Sequence, residues 1–151
     1  MARSSHPSHA ELLESALQTL RDHAHRITTP RRAILQVLTS EHGPFTAEQL
    51  HSRIEEGVCD LVTVYRCLAA MEEINIVRRC DFGDGSYRYE INTGENHHHH
   101  LICRGCHSVK TIDFCVAASL ERFARRMGYS NVNHTLEIFG VCQQCQRARA
   151  S

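Results

Sequence analysis

The sequence predicts an α+β protein in two parts: helices closed by a hairpin in residues 1–91, and short strands around one helix in residues 98–151, with residues 92–97 as a hinge. Three observations carry this expectation. The apolar period is helical up to Ile74 and becomes two from Ile76 onward. The polar run Asn92-Thr93-Gly94-Glu95-Asn96 has the composition of a linker. Beyond it lie four consecutive histidines and two Cys-x-x-Cys pairs, in a chain of 151 residues that holds 12 His and 8 Cys.

Each element follows from local signals. Leu12, Leu13, Ala16, Leu17 and Leu20 make one apolar helical stripe. Thr29-Pro30 supplies an N-cap and a first-turn proline for a second helix, whose stripe is Ala33, Ile34, Val37 and Leu38. Gly43-Pro44 breaks the chain. Thr46 with Gln49 then forms a capping box for a third helix through Ala47, Leu50 and Ile54, closed by Gly57. Asp60 caps a fourth, over about 61–74, with core positions Leu61, Val64, Leu68 and Met71. Strands at 76–80 and 87–91 flank Gly83-Asp84-Gly85, a hairpin turn tolerant of positive φ. Helices followed by such a hairpin make the winged-helix pattern. The second part should contain strands near 98–102 and 108–113, a helix near 116–127 and a strand over 132–139.

Composition narrows the function classes. Seventeen Lys+Arg balance seventeen Asp+Glu, and 42% hydrophobic with 23% charged residues is a globular profile, which excludes disordered and collagen-like chains. There is no run of eighteen apolar residues and no apolar signal core near Met1, so a soluble, cytoplasmic protein without a membrane partner is expected. Eight thiols could build a disulfide framework, but clustered Cys-x-x-Cys spacing without a signal segment points to metal. No His-Glu-x-x-His, deaminase signature, Gly-rich phosphate loop or Gly-x-Ser-x-Gly elbow occurs, so neither an enzyme nor a small-molecule substrate is expected.

The fourth helix could read DNA. With Leu61, Val64, Leu68 and Met71 turned inward, Val62, Thr63, Arg66, Ala69 and Ala70 face out. That surface is small enough for a major groove about 12 Å wide, with Arg66 free to donate to a phosphate or guanine edge. Tyr65 lies at the stripe's edge, where packing and base contact are both open to it. Arg31 and Arg32 stand in a helix's first turn, where the dipole disfavours cations unless phosphates lie opposite. Residues 1–91 hold ten Lys+Arg against thirteen Asp+Glu, so DNA affinity has to come from local arginine clustering and should fall with salt.

The metal-ligand patterns are sharper. Cys103-x-x-Cys106 and Cys142-x-x-Cys145 are two chelating knuckles that together complete a tetrahedral four-cysteine zinc site, structural because four protein ligands leave no room for water. In an extended His97-His98-His99-His100, alternation puts His97 and His99 on one side and His98 and His100 on the other, so the run serves two sites. Further ligands can come from Cys80, Glu90, Asp113, Cys115, Glu121 and His134. Cys59 and Cys67 read as small packing residues.

In order, Thr29-Pro30-Arg31-Arg32, Thr46-Ala47-Glu48-Gln49-Leu50, Leu61-Val62-Thr63-Val64-Tyr65-Arg66, the His97–Cys106 segment and the Asn133–Cys142 segment resemble the ferric uptake regulator superfamily, nearest its zinc uptake regulator branch. The resemblance spans about residues 11–146. It implies a homodimeric winged-helix repressor that binds palindromic double-stranded operator DNA when metal-loaded, with residues 98–151 as an α/β dimerisation domain. By position, Tyr65 and Arg66 match residues that approach bases and phosphate, and Cys103, Cys106, Cys142 and Cys145 match structural zinc ligands. Glu90, His98 and His100 match ligands of the sensory metal, with Cys80 near the fourth, so that a cation there would select one hinge angle. His97, His99 and His134 match an additional site, joined by a helix glutamate. Three departures are visible. Pro44-Phe45 stands where iron and peroxide sensors carry a histidine, and Glu90 stands where the zinc branch often has cysteine. The helix glutamate falls at Ala117, leaving Glu121 or Cys115 as substitutes. The sensed metal is therefore expected to be zinc, with iron, manganese or peroxide sensing as the alternative.

Overall fold

A computed structural model describes residues 7–41, 43–93, 99–112, 114–132, 134 and 136–149. The chain divides into two compact units, Met1–Thr93 and Gly94–Ser151. His97, His98 and Asp113 lie outside the described residues, as does most of the expected hinge.

The first unit is four helices and a hairpin. Helix α1 (His9–Asp22) opens on a reciprocal cap, in which Ser8 accepts the Glu11 N–H and Glu11 accepts the Ser8 N–H. Helix α2 (Thr29–Ser40) is capped one residue earlier than expected, by Thr28. Thr29 and Pro30 then fall inside the first turn, where the proline's missing N–H has no intrahelical partner to lose. Helix α3 (Ala47–Arg53) has the expected Thr46/Gln49 box but ends before Gly57, because Ile54 turns extended. Gly57 sits in the following turn at φ +86°. Helix α4 (Leu61–Glu73) starts where Asp60 Oδ1 accepts the Thr63 N–H at 2.7 Å.

Strands β1 (Val77–Asp81) and β2 (Tyr87–Ile91) pair antiparallel as the wing. Phe45 bridges Tyr89 on the open edge, its N–H donating to the Tyr89 carbonyl at 3.0 Å. Leu17, Leu20, Ile34, Leu50, Val64, Leu68, Met71 and Val77 form the centre of one core. Leu35 and Cys67, absent from the expected stripes, are buried with them, and Leu61 is only partly covered. Each fully buried aliphatic side chain contributes about 1.5–3 kcal/mol.

The second unit has a three-stranded sheet, β4-β3-β5, made of β3 (His99–Cys103), β4 (Val109–Ile112) and β5 (Glu137–Gly140). β4 is antiparallel to β3, and β5 is parallel to it. Helix α5 (Ala118–Arg126) follows β4. Helix α6 (Gln143–Arg149) was not expected, because the second Cys-x-x-Cys read only as a knuckle; Cys142 in fact leads into its first turn, its carbonyl accepting the Gln146 N–H. Among the described residues this unit buries few apolar side chains, chiefly Ile102, Cys103 and Ala117. Leu120, Phe123 and Met127 instead form an exposed stripe along α5, with Phe114, Val116 and Tyr129 exposed beside it. No described helix is long and apolar enough to cross a membrane.

Candidate metal centres and DNA-reading helix

The four knuckle cysteines converge. Cys103 enters from the end of β3, Cys106 from the turn after it, and Cys142 and Cys145 from the start of α6; one donor atom from each lies within 4.8 Å of the others. Cys106 Sγ and Cys142 Sγ stand 3.7 Å apart, close to the ~3.8 Å that four Zn–S bonds of about 2.3 Å impose in a tetrahedron. The backbone N–H of Cys142 donates to Cys103 Sγ at 3.2 Å and that of Gly105 at 3.3 Å. These donors pull the Cys103 thiol down to about 5, with the Cys142 N–H the largest cause. Cys145, facing the sulfurs of Cys142 and Cys106, is pushed up to about 12. None of the eight cysteines is in a disulfide. The donor set and spacing fit a structural zinc ion.

A second set gathers in the same unit. His134 Nε2 lies 3.3 Å from His99 Nε2 and 3.3 Å from Cys115 Sγ. His134 Nδ1, on the other side of the ring, is 2.6 Å from Glu121 Oε1, and the ring holds the Glu121 carboxyl below the usual carboxylate range. Glu121 thus reaches His134 although the gap-free position is Ala117, which is buried just ahead of α5.

The residues assigned to sensing by resemblance lie in both units. In the wing, Glu90 is buried and ion-paired with Arg78, its register partner across the hairpin, and Cys80 Sγ is 3.7 Å from Glu90 Oε1. In the second unit, His100 is buried with Nδ1 3.3 Å from Glu137 Oε2 of β5. Neighbouring His99 and His100 therefore serve different partners, as strand alternation requires.

On α4, Val62, Tyr65, Arg66 and Ala69 are exposed, while Thr63 and Ala70 are half-covered. Tyr65 is 45% exposed and donates its hydroxyl to Glu48 Oε1 of α3 at 2.5 Å, so it belongs to the outer surface and not to the core. Arg32 is exposed; Arg31 donates to the Arg26 carbonyl at 2.8 Å and is half-buried. Glu48 carries no pairing signal of its own in the sequence, and only the α3–α4 packing joins it to a residue seventeen positions on.

The comparisons with known proteins agree with this geometry. The sequence pattern of the Ferric uptake regulator family matches residues 22–139. The peroxide-responsive repressor PerR of Staphylococcus aureus is 33% identical over 137 residues, covering 89% of this chain and 91% of that protein. A solved zinc-bound manganese uptake regulator matches with a TM-score of 0.61 and 33% identity over 84% of this chain and 98% of that one. A zinc uptake regulator solved with zinc and DNA shares the fold, with a TM-score of 0.62 and 22% identity over 97% of this chain and all of the other. The chain belongs to the ferric uptake regulator family of dimeric, metal-responsive, operator-binding transcriptional regulators, which are not enzymes.

Proposed function

We propose that the protein is a zinc-responsive repressor of zinc uptake genes, working as a homodimer on operator DNA in the cytoplasm. The observation that carries the choice of metal is Cys80: its thiol stands 3.7 Å from the Glu90 carboxylate, at the position where the resemblance puts the sensory ligands. A soft sulfur donor beside a carboxylate favours zinc over iron or manganese, which prefer oxygen and nitrogen. Glu90, Cys80, His98 and His100 are the sensory residues in this reading, Cys103, Cys106, Cys142 and Cys145 hold structural zinc, and Arg32, Thr63, Tyr65 and Arg66 face DNA. Arg31 supports the same surface through its bond to Arg26. Zinc supplies the charge and coordination that favour one DNA-competent arrangement, and it acts only through the difference in its affinity for the two states.

The test is operator affinity with and without free zinc. The wild type should bind several-fold to roughly a hundredfold tighter with zinc, the span of a coupling of ~1–3 kcal/mol. A His98→Ala/His100→Ala variant should lose that dependence while keeping its structural zinc; an unchanged dependence removes these histidines as the sensor. Peroxide sensing is the second reading, favoured by the 33% identity to the Staphylococcus aureus peroxide-responsive repressor. Cys80→Ser separates the two: loss of zinc preference supports the zinc sensor, and unchanged metal selectivity supports the alternative.

A further inference from the structure

We propose that Glu48 is a positioning residue that sets base specificity: by taking the Tyr65 hydroxyl proton, it makes Tyr65 meet DNA as an acceptor that selects adenine or cytosine, the bases with an exocyclic amino group. This rests on the reading that Tyr65 faces DNA, and it assigns the polarity of that contact.

The geometry fixes the proton. The Tyr65 hydroxyl oxygen stands 2.5 Å from Glu48 Oε1, the length of a hydroxyl donating to an ionised carboxylate, about 2.5–2.7 Å. A carboxylate only accepts, so the phenol is the donor. The Tyr65 hydroxyl, the backbone N–H of Glu48 and the Thr46 side chain, in that order, hold the Glu48 carboxyl below the usual carboxylate range. The same bond pushes the Tyr65 phenol up, so at neutral pH the proton stays on the tyrosine oxygen and points at Glu48. Glu48 stands in the first turn of α3, where the helix dipole favours an acid, and Tyr65 reaches it from α4.

The pair lies on the outer surface. Glu48 is exposed, and Val62, Tyr65, Arg66 and Ala69 are exposed on α4. A carboxylate close to phosphates weakens binding to every sequence alike, so it is a poor aid to non-specific affinity. Its gain is discrimination. A hydroxyl has one proton and two lone pairs, and with the proton committed to Glu48 only lone pairs remain for DNA. In the major groove adenine and cytosine present amino donors, whereas the polar atoms of guanine and thymine there are acceptors. Opposite those two, the Tyr65 oxygen would set acceptor against acceptor or have to abandon Glu48. Without Glu48 the hydroxyl is free to rotate and serve either kind of base.

Selection from a pool of randomised duplexes by the full-length protein with zinc present tests this. The wild type is expected to prefer adenine or cytosine at one position of each half-site, and Tyr65→Phe should flatten that preference. Glu48→Ala should flatten the same position and no other, and the double variant should flatten it no further. Replacing that base by an analogue lacking only its amino group should weaken wild-type binding about 2–10-fold per half-site, the range of one hydrogen bond, beyond its effect on Glu48→Ala. Glu48→Gln keeps the shape but can donate to the phenol, so it should admit guanine and thymine there, which damaged packing would not do. A preference kept in both Glu48 variants but lost in Tyr65→Phe overturns the role of Glu48 and leaves Tyr65 as a reader. A wild-type preference for guanine or thymine at that position overturns the polarity. If Tyr65→Phe keeps every preference, the reading of Tyr65 as base-facing falls as well.

Discussion

Gly105 shows how tightly the four-cysteine centre is built. A Cβ at this position would stand 2.8 Å from Cys145 Sγ, closer than real Cβ contacts come, and a tight 3.0 Å from its Cβ. Gly105→Ala should therefore push Cys145 away from the other three sulfurs. The expected outcome is a loss of one zinc per chain by elemental analysis and a lower melting temperature, since a structural zinc contributes its binding free energy to folding. Retention of both would show that the knuckle relaxes around the methyl group. The two Cys-x-x-Cys pairs were legible from spacing alone, because two thiols three positions apart can chelate one ion whatever the rest of the chain does. Gly105 was not, since the atom that forbids a side chain there belongs to a residue forty positions away. Cys115 and Glu121 show the same limit more sharply: the sequence offers both as substitutes for one missing ligand, and in the fold they stand against different nitrogens of the His134 ring.

At the scale of elements, α5 carries the clearest unmet requirement. Leu120 is 69% and Phe123 55% exposed on a nine-residue helix whose unit has a thin core. In a dimeric family a second copy is the partner that covers such a stripe, each side chain contributing about 1.5–3 kcal/mol if fully buried. Leu120→Asp combined with Phe123→Asp should give a monomer in sedimentation experiments and lose tight binding to a palindromic operator, while the first unit keeps its helical signal; a persistent dimer would place the interface elsewhere. The winged-helix elements matched their sequence signals nearly residue for residue, because caps and amphipathic stripes are local. The departures, such as the cap at Thr28 and the early end of α3, are single-turn adjustments. The second unit was less legible, because its strands are four or five residues long and its last helix begins inside a metal motif.

For the whole molecule, the proposed zinc response requires that zinc and operator DNA favour the same state, and linkage makes the effect mutual. Operator DNA should tighten the regulatory zinc by the same factor by which that zinc tightens operator binding, about 5–150-fold for a typical coupling. Competition with a zinc-binding dye, with and without operator, measures the first factor against the second. Unequal factors would mean that a further equilibrium, such as dimer formation, intervenes.

The amino-acid sequence by itself determined α1 to α5, the wing, the two-part layout and the presence of metal chemistry, since periodicity, capping and chelating spacing act over a few residues. Tertiary structure alone decided which donors meet: that Cys115 and Glu121 face opposite nitrogens of one imidazole, that Tyr65 leans on Glu48, and that Arg31 is held by Arg26. Apart from the short Arg26–Arg31 bond, these pairings join residues thirteen or more positions apart, and Arg26 itself lies in a loop with no sequence periodicity. Their distances are set by how elements pack, which no local pattern encodes.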